Sequence, residues 1–393
     1  MLLDDIRVID LTVARAGPTC VRQLADWGAD VVRVELPIDP AAPNAVGGQR
    51  HGSDEQSVHR NKRSLGLDLS TEDGRAVLHR LVGDADVLVE NMRPAVKSRL
   101  GFDWGTVHAL NPRLVMGSIS GFGQDGPYAP RGGVDQITQG MSGLMSVTGE
   151  PGRGPVRAGI PISDLSAGLY LAIGLLAALH DRERTGEGRW VQTSLLESMV
   201  SMMDFQAARW TIDREVPRQE GNHHPTLIPM GCFPSADGHI NVAGPSGRLW
   251  RGFCAAIGRP DLPDDERFAT GRARSVHRGE LNGIIADVLR ARPTAEWVEV
   301  FAGAGIPAGP VYSLDQVFAD PQVQHLGLVA SIEHPTLGHQ EVVRHPVTMT
   351  GPDGSGTTVR THTPDPGEHT DEVLAEAGFT PDEVADLRAR GVV

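Results

Sequence analysis

Short valine-rich runs alternate with segments of helical periodicity through the first half of the chain, and this alternation constrains the fold more than any other feature. Residues 6–11, 28–35, 86–91 and 114–120 read as strands, with a turn and short strand at 61–68 and an alternating strand at 189–194. Pro18 opens a helix that runs to about residue 27, and Ser70–Asp73 opens another to about residue 82. Strands separated by helices of this length imply βαβ units. The fold class is therefore α/β with a parallel, Rossmann-like sheet. A polar, glycine-containing stretch near 37–60 reads as a surface loop.

The segment from Arg157 to Tyr170 stands apart. A Gly/Pro-rich loop over 149–161 delivers one acidic residue, Asp164, and a helix begins at once. Its stripe is Leu165, Leu169, Ala172, Leu176 and Leu179. With Ile173, Leu175 and Ala178 on the flanks, this helix is predicted to be apolar nearly all round and buried. Asp164 then falls at or next to the N-cap, where free N–H groups and the helix dipole favour an ionised carboxylate. Two roles are open for it: a helix cap, or a carboxylate nucleophile held at a cleft. Further on, residues 195–213 read as a helix whose Met199, Met202 and Met203 fill core space. Residues 214–230 lack periodicity and read as a linker. A second domain follows, with a strand at 239–243 and helices near 248–257, 276–291 and 294–302.

Composition narrows the partners. The 393 residues allow a large core and about two or three domains. A net charge of −14 argues against nucleic acid or an anionic membrane as a general partner. The apolar run 165–179 is shorter than the roughly 20 residues that span a bilayer. The opening residues lack the pattern of a secretory signal. Cys20, Cys232 and Cys254 are widely spaced, so a reducing, cytoplasmic setting without a disulfide framework is expected. His223 and His224 have no further ligands at suitable spacing, and no metal is expected.

The first strand is followed by Ala14-Arg-Ala-Gly-Pro18 rather than a dinucleotide fingerprint, and no P-loop lysine motif occurs. Ligands of open α/β sheets still sit beyond the carboxyl ends of strands. Those ends carry Arg15, Asn91, Arg93 and Gly121-Phe-Gly123, and Lys62, Arg63, Lys97 and Arg99 lie near them in sequence. Such residues either bind a pyrophosphate and a ribose phosphate or form an ordinary solvated face.

Taken together, these stretches resemble the family III CoA-transferases, the group that also contains α-methylacyl-CoA racemase. The resemblance runs nearly end to end. It rests on Val8-Ile-Asp-Leu-Thr12 with Ala16-Gly-Pro18, Gly28-Ala-Asp-Val-Val-Arg-Val-Glu35, Asn61-Lys-Arg-Ser64 and Val89-Glu-Asn91. It continues through Arg99-Leu-Gly101, Gly121-Phe-Gly123, Asp164 with its helix, Thr185-Gly-Glu-Gly-Arg189, Gly305-Ile-Pro-Ala-Gly-Pro310 and Gly367-Glu-His-Thr-Asp-Glu-Val373.

The resemblance implies an interlocked homodimer. Each chain would have a Rossmann-like large domain (1–213), a linker (214–230), a smaller α+β domain (231–325), a returning linker (326–350) and a C-terminal segment (351–393) that completes the large domain. It implies an acyl-CoA donor and a small carboxylic acid acceptor as partners, with coenzyme A as substrate rather than a permanently bound cofactor. Asp164 becomes the nucleophile that forms an acyl anhydride and then an aspartyl-CoA thioester, and Asp135 takes a supporting catalytic role. Ala16, Asn91 with its neighbour Met92, and Arg99 match CoA contacts, and Leu100 matches an apolar contact on the adenine side. Lys62 and Arg63 are placed near the phosphates.

The chain departs from the formyl-CoA-transferring members at Val13, Arg15 and Leu36. For their glycine-rich flap it offers at most Gly244-Pro-Ser-Gly247. Arg15 beside the thioester would suit a dicarboxylate. The racemase branch has a histidine in a Gly-His-Asp motif, and here the motif reads Gly133-Val-Asp135, which disfavours racemisation. A CoA-binding protein without catalysis is the other alternative.

Overall fold

The computed structural model describes residues 1–37, 50–244, 247–350 and 356–393. The chain forms two compact units, one of residues 1–144, 157–215 and 326–393, the other of residues 145–156 and 216–325.

The first unit is built on strands β1 (Arg7–Asp10), β2 (Asp30–Glu35), β3 (Lys62–Gly66), β4 (Val87–Glu90), β5 (Val115–Ser120) and β6 (Trp190–Ser194). All pair in parallel, in the order β3-β2-β1-β4-β5-β6. β4 and β5 are buried along their whole length, Glu90, Ser118 and Ser120 included, as expected of central parallel strands covered on both faces. The strand order reverses between β1 and β4. The crevice beyond their carboxyl ends is where an open α/β sheet holds a ligand.

Helix α1 (Ala16–Asp26) links β1 to β2, and α2 (Glu72–Gly83), capped by the Thr71 hydroxyl, links β3 to β4. Helices α3 (Pro94–Leu100) and α4 (Trp104–Leu110) precede β5. Helices α5 (Asp135–Met141) and α6 (Ile162–Thr185) precede β6. On one face of the sheet, Val21 and Leu24 of α1 and Leu171 and Leu175 of α6 pack on Val8, Val31, Val89 and Val115. On the other face, Val77, Leu78 and Leu81 of α2 pack on Ile9, Val32, Leu65 and Leu88.

Helix α6 differs from the sequence expectation in phase and length. Ala167, Leu171, Ala172, Leu175, Ala178 and Leu179 are buried, but Leu169, Ile173 and Leu176 are exposed. A helix apolar all round carries no phase information, so packing against α1 chose the face. Only Ala172 and Leu179 of the expected stripe are fully buried. The helix also runs 24 residues, long and apolar enough to cross a membrane by length and composition alone. Here its buried face packs on the sheet.

After β6 the expected single helix is two, α7 (Leu195–Met202) and α8 (Asp204–Thr211), with a break where Asp204 adopts a φ of 44°. Met199 is buried as expected, but Met202 is exposed.

The second unit carries an antiparallel sheet of β7 (Met230–Pro234), β8 (His239–Ala243) and β9 (Ala308–Pro310). Helices α9 (Gly247–Ala256), α10 (Arg278–Leu289) and α11 (Thr294–Gly303) pack on it around Phe233, Trp250, Phe253, Trp297 and Phe301. Residues 145–156, which the sequence reading kept in the large domain, belong to this unit. The Gly221 N–H donates to the Gly149 carbonyl at 3.0 Å, and Gln219 Nε2 donates to the Thr148 carbonyl at 2.7 Å.

Back in the first unit, β10 (Val329–His334) and β11 (Gly338–Val343) form an antiparallel hairpin within the stretch read as a returning linker. Helices α12 (Thr370–Glu376) and α13 (Pro381–Ala389) follow. They add Val373, Leu374, Val384 and Leu387 to the core that holds Leu65 and Leu78.

One close approach sets how α6 meets α1. A Cβ built on Gly168 would lie 2.6 Å from the Ala16 carbonyl oxygen and 2.8 Å from Thr19 Cβ. Gly168→Ala is therefore expected to destabilise the protein by about 1–3 kcal/mol through overpacking, despite alanine's better helix propensity. Urea denaturation of variant and wild type checks this, and an unchanged or raised midpoint would contradict the close packing.

Candidate functional site

The switch-point crevice is built by two turns stitched together. β1 ends at Asp10, whose Oδ1 accepts from the Thr12 N–H and hydroxyl at 2.9 and 2.5 Å. The next turn is tight enough to hold Ala14 at a φ of 61°, an unfavourable left-handed conformation for a residue with a Cβ. Asn91, just past β4, clamps this turn. Its Nδ2 donates to the Val13 carbonyl at 2.7 Å, and its Oδ1 accepts from the Val13 N–H at 2.8 Å. Both polar ends of Asn91 are thus engaged in shaping the crevice. Arg15 follows as N-cap of α1, with Ala16 as its first, buried residue. The Arg15 guanidinium reaches Asp54 at 2.8 Å and the Ser57 hydroxyl at 3.2 Å.

Asp164 enters from the other side. It is the third residue of α6, after the N-cap Pro161, and does not cap the helix. Asp135, the first residue of α5, does that work. Its Oδ1 accepts from the Ser163 N–H at 2.9 Å, and its Oδ2 accepts from Gln139 Nε2 at 2.7 Å and Arg157 at 3.3 Å. α5 can reach that far because Gly121, past β5, lies against Gly133. A Cβ on Gly121 would sit 2.5 Å from Gly133 Cα. With the cap supplied by Asp135, the Asp164 carboxyl has no hydrogen-bond partner among the described residues.

Electrostatics follow from this arrangement. Burial raises the Asp164 pKa to about 6, the nearby Asp135 charge adds to the rise, and Arg15 opposes it. The helix start was expected to hold this carboxylate ionised. Desolvation and the second carboxylate outweigh it. At neutral pH Asp164 is mostly ionised but partly desolvated and without a hydrogen-bond partner among the described residues, a condition that suits a reactive carboxylate.

The basic residues separate into two sets. The Lys62 ammonium is fully buried, 2.8 Å from Asp10, so it offers nothing to a phosphate. Arg63 is held by Asp30, Glu372 and Glu376 at 2.6, 2.8 and 2.8 Å, at the amino end of β3 rather than at the crevice. Both residues are removed from the phosphate candidates. Sequence carries no sign of this, because the partners Asp10, Asp30, Glu372 and Glu376 come from distant segments. Lys97 is likewise buried against Glu90 at 3.0 Å. Arg93 and Arg99, beyond β4, are exposed and have no side-chain partner among the described residues. Met92 and Leu100 lie partly buried against the core beside them. Of the proposed flap, Pro245 and Ser246 lie outside the described residues.

Sequence reasoning missed one cluster. His51, His334 and Asp365 place ligand-type atoms within 4.8 Å of one another. The His334 Nδ1 accepts from the Thr336 and Leu337 N–H groups at 3.1 and 3.4 Å, which puts the proton of the neutral ring on Nε2. That nitrogen is then a donor rather than a metal ligand.

Comparison with known proteins gives this site its context. The profile of CoA-transferase family III matches residues 3–370. The chain is 37% identical over 385 residues to the succinate–glutarate CoA-transferase of Agrobacterium fabrum, covering 95% of both chains. It is 35% identical to the succinyl-CoA–D-citramalate CoA-transferase of Chloroflexus aurantiacus, over 100% of this chain and 98% of that one. A crystal structure of a CaiB/BaiF family protein from Brucella suis superposes with a TM-score of 0.82 at 32% identity, covering 95% of this chain and 98% of its own. A Rossmann-order sheet with this site and these relatives defines a CoA-transferring enzyme. The chain belongs to family III of the CoA-transferases.

The raised pKa of Asp164 has a consequence for stability. Its carboxyl titrates near 6 in the fold against an ordinary 3.8, so folding favours the protonated form. The resulting contribution to stability is full below the exposed value and is lost as pH rises through about 6. Asp164→Asn mimics the neutral form. It is expected to be more stable than wild type by about 1–2 kcal/mol at pH 8, after allowance for solvent screening, and to lose that advantage below about pH 4. Denaturant midpoints at the two pH values check the sign. A variant weaker than wild type at pH 8 would contradict it.

Proposed function

We propose that this enzyme moves coenzyme A between small dicarboxylic acids through covalent intermediates on Asp164. The observation that carries the reading is the Asp164 carboxyl itself: partly buried, without a hydrogen-bond partner among the described residues and near the Arg15 guanidinium at the switch point. Its oxygen attacks the thioester carbon of the donor, and the C–S bond breaks. An acyl–aspartyl anhydride forms and CoA leaves as thiolate. The thiolate attacks the aspartyl carbonyl, the donor carboxylate departs, and Asp164 carries CoA as a thioester. The acceptor carboxylate attacks that carbonyl, expelling the thiolate and forming a second anhydride. The thiolate then takes the acceptor's acyl group and frees Asp164. Every acyl link keeps its activation, provided water stays out.

Exposed Arg93 and Arg99 are the cations we assign to the CoA phosphates, with Leu100 beside the adenine. Asn91 and Ala16 shape the wall facing the thioester. Arg15 binds the distal carboxylate of the acyl group. Relatives named for succinate, glutarate and D-citramalate support a dicarboxylate assignment. We place the reaction in the cytoplasm and in a homodimer with interlocked chains. Leu169, Ile173 and Leu176 of α6, Val200 and Met202 of α7, and Phe205 and Trp210 of α8 are exposed in the single chain, and a second copy would cover such apolar side chains. Sedimentation analysis giving only monomer would overturn the dimer.

Chromatography of reactions containing succinyl-CoA and a panel of carboxylates tests the reading. New acyl-CoA should appear with dicarboxylate acceptors, and Asp164→Ala should abolish it. Arg15→Gln should lose roughly ten- to a hundredfold in kcat/KM with dicarboxylates and much less with monocarboxylates of equal length. The acid limb of the wild-type profile should lie near pH 6 and move upward in Arg15→Gln, since the opposing cation is gone. Equal losses on both acceptor classes would overturn the role of Arg15.

A further inference from the structure

Lys62 and Asp10 form an ion pair in which neither side chain is exposed to solvent, at 2.8 Å. The ammonium also lies 3.1 Å from His59 Nδ1, and His59 Nε2 faces Glu55 at 3.6 Å. Glu55 in turn accepts from Arg33 at 2.6 Å and Arg50 at 3.0 Å. Burying such a pair is costly, and packed apolar side chains would serve stability as well or better. What the pair holds is informative. The Asp10 oxygen that Lys62 leaves free takes both polar hydrogens of Thr12. Thr12 is pressed against Gly17, where a Cβ would lie 2.4 Å from Thr12 Cβ. Two residues on, Ala14 sits in its left-handed conformation, which lasts only while its surroundings enforce it. Arg15 and Ala16 follow directly.

We propose that Lys62 is a positioning residue for acyl-CoA: through Asp10 and Thr12 it fixes the turn between β1 and α1 that presents Arg15 and Ala16 to Asp164. It touches no substrate atom. The proposal rests on the CoA-transfer reading for its kinetic consequences, but the geometry of the turn exists without substrate.

Lys62→Met keeps the length of the side chain and removes the charge. It is compared with wild type on succinyl-CoA and on succinyl-pantetheine, which lacks the phosphates. We expect kcat/KM to fall roughly ten- to a hundredfold on both, the scale of a misplaced reacting group. The double variant Asp10→Asn/Lys62→Met should regain most of that loss, because an asparagine oxygen still accepts from Thr12 and no buried charge is left unpaired. Hydrogen exchange over residues 12–16 of the ligand-free protein should accelerate in Lys62→Met and return towards wild type in the double variant. If Lys62→Met does not fold, a folded double variant with wild-type exchange at this turn supports the proposal, and one with fast exchange there overturns it. A defect confined to succinyl-CoA would mean a phosphate contact and overturn it, as would unchanged exchange at the turn in Lys62→Met. If the wild type transfers no CoA at all, the functional reading fails, and the exchange data still decide whether Lys62 holds the turn.

Discussion

The hydrogen bond from the Ser163 N–H to Asp135 is the interaction on which the site depends. A helix start must satisfy its free N–H groups, and an acidic residue in the first turn commonly does so. Here that acceptor comes from α5, 28 residues earlier in the chain. Asp164 is left in the first turn of α6 with no partner for its carboxyl among the described residues. The same contact brings a second negative charge close, which with burial lifts the Asp164 pKa to about 6. One contact therefore caps the helix, relieves Asp164 of that task and helps to raise its pKa.

The remainder of the first unit brings this carboxyl to the switch point. Parallel strands in the order β3-β2-β1-β4-β5-β6 open a crevice between β1 and β4, and Asn91 joins the turns on its two sides. Gly168 lets α6 approach the Ala16 carbonyl, and Gly121 with Gly133 lets α5 reach the start of α6. These glycines matter for the close approach of backbone atoms, since a methyl group at either Gly168 or Gly121 would meet a main-chain atom. Buried charge serves the same end, since Asp10 ties the β1–α1 turn to Lys62.

The sheet was legible in the sequence because short valine-rich runs, such as residues 31–34 and 87–89, alternate with segments of helical length. The exposed face of α6 was not, because a helix apolar on all sides gives no phase. Asp164 was singled out by its position between a glycine-rich loop and that helix, yet whether it caps the helix depended on Asp135, a contact no local pattern encodes. Lys62 and Arg63 show the same limit from the other direction. A basic residue near a strand looks alike whether it meets a ligand or an internal carboxylate, and only the burial of Asp10 and Lys62 and the convergence of Asp30, Glu372 and Glu376 on Arg63 separate the cases. The residues assigned to the phosphates, Arg93 and Arg99, are exposed on the segment that follows β4 and have no side-chain partner among the described residues.

In the proposed reaction Asp164 becomes covalently acylated and then carries CoA. Intact-protein mass spectrometry after brief exposure to succinyl-CoA, with peptide mapping of any adduct, tests it most directly. An added mass equal to CoA less water, located on Asp164 and missing from Asp164→Ala, is expected. Turnover of succinyl-CoA by wild type with no adduct, accompanied by retained transfer in Asp164→Ala, would contradict it.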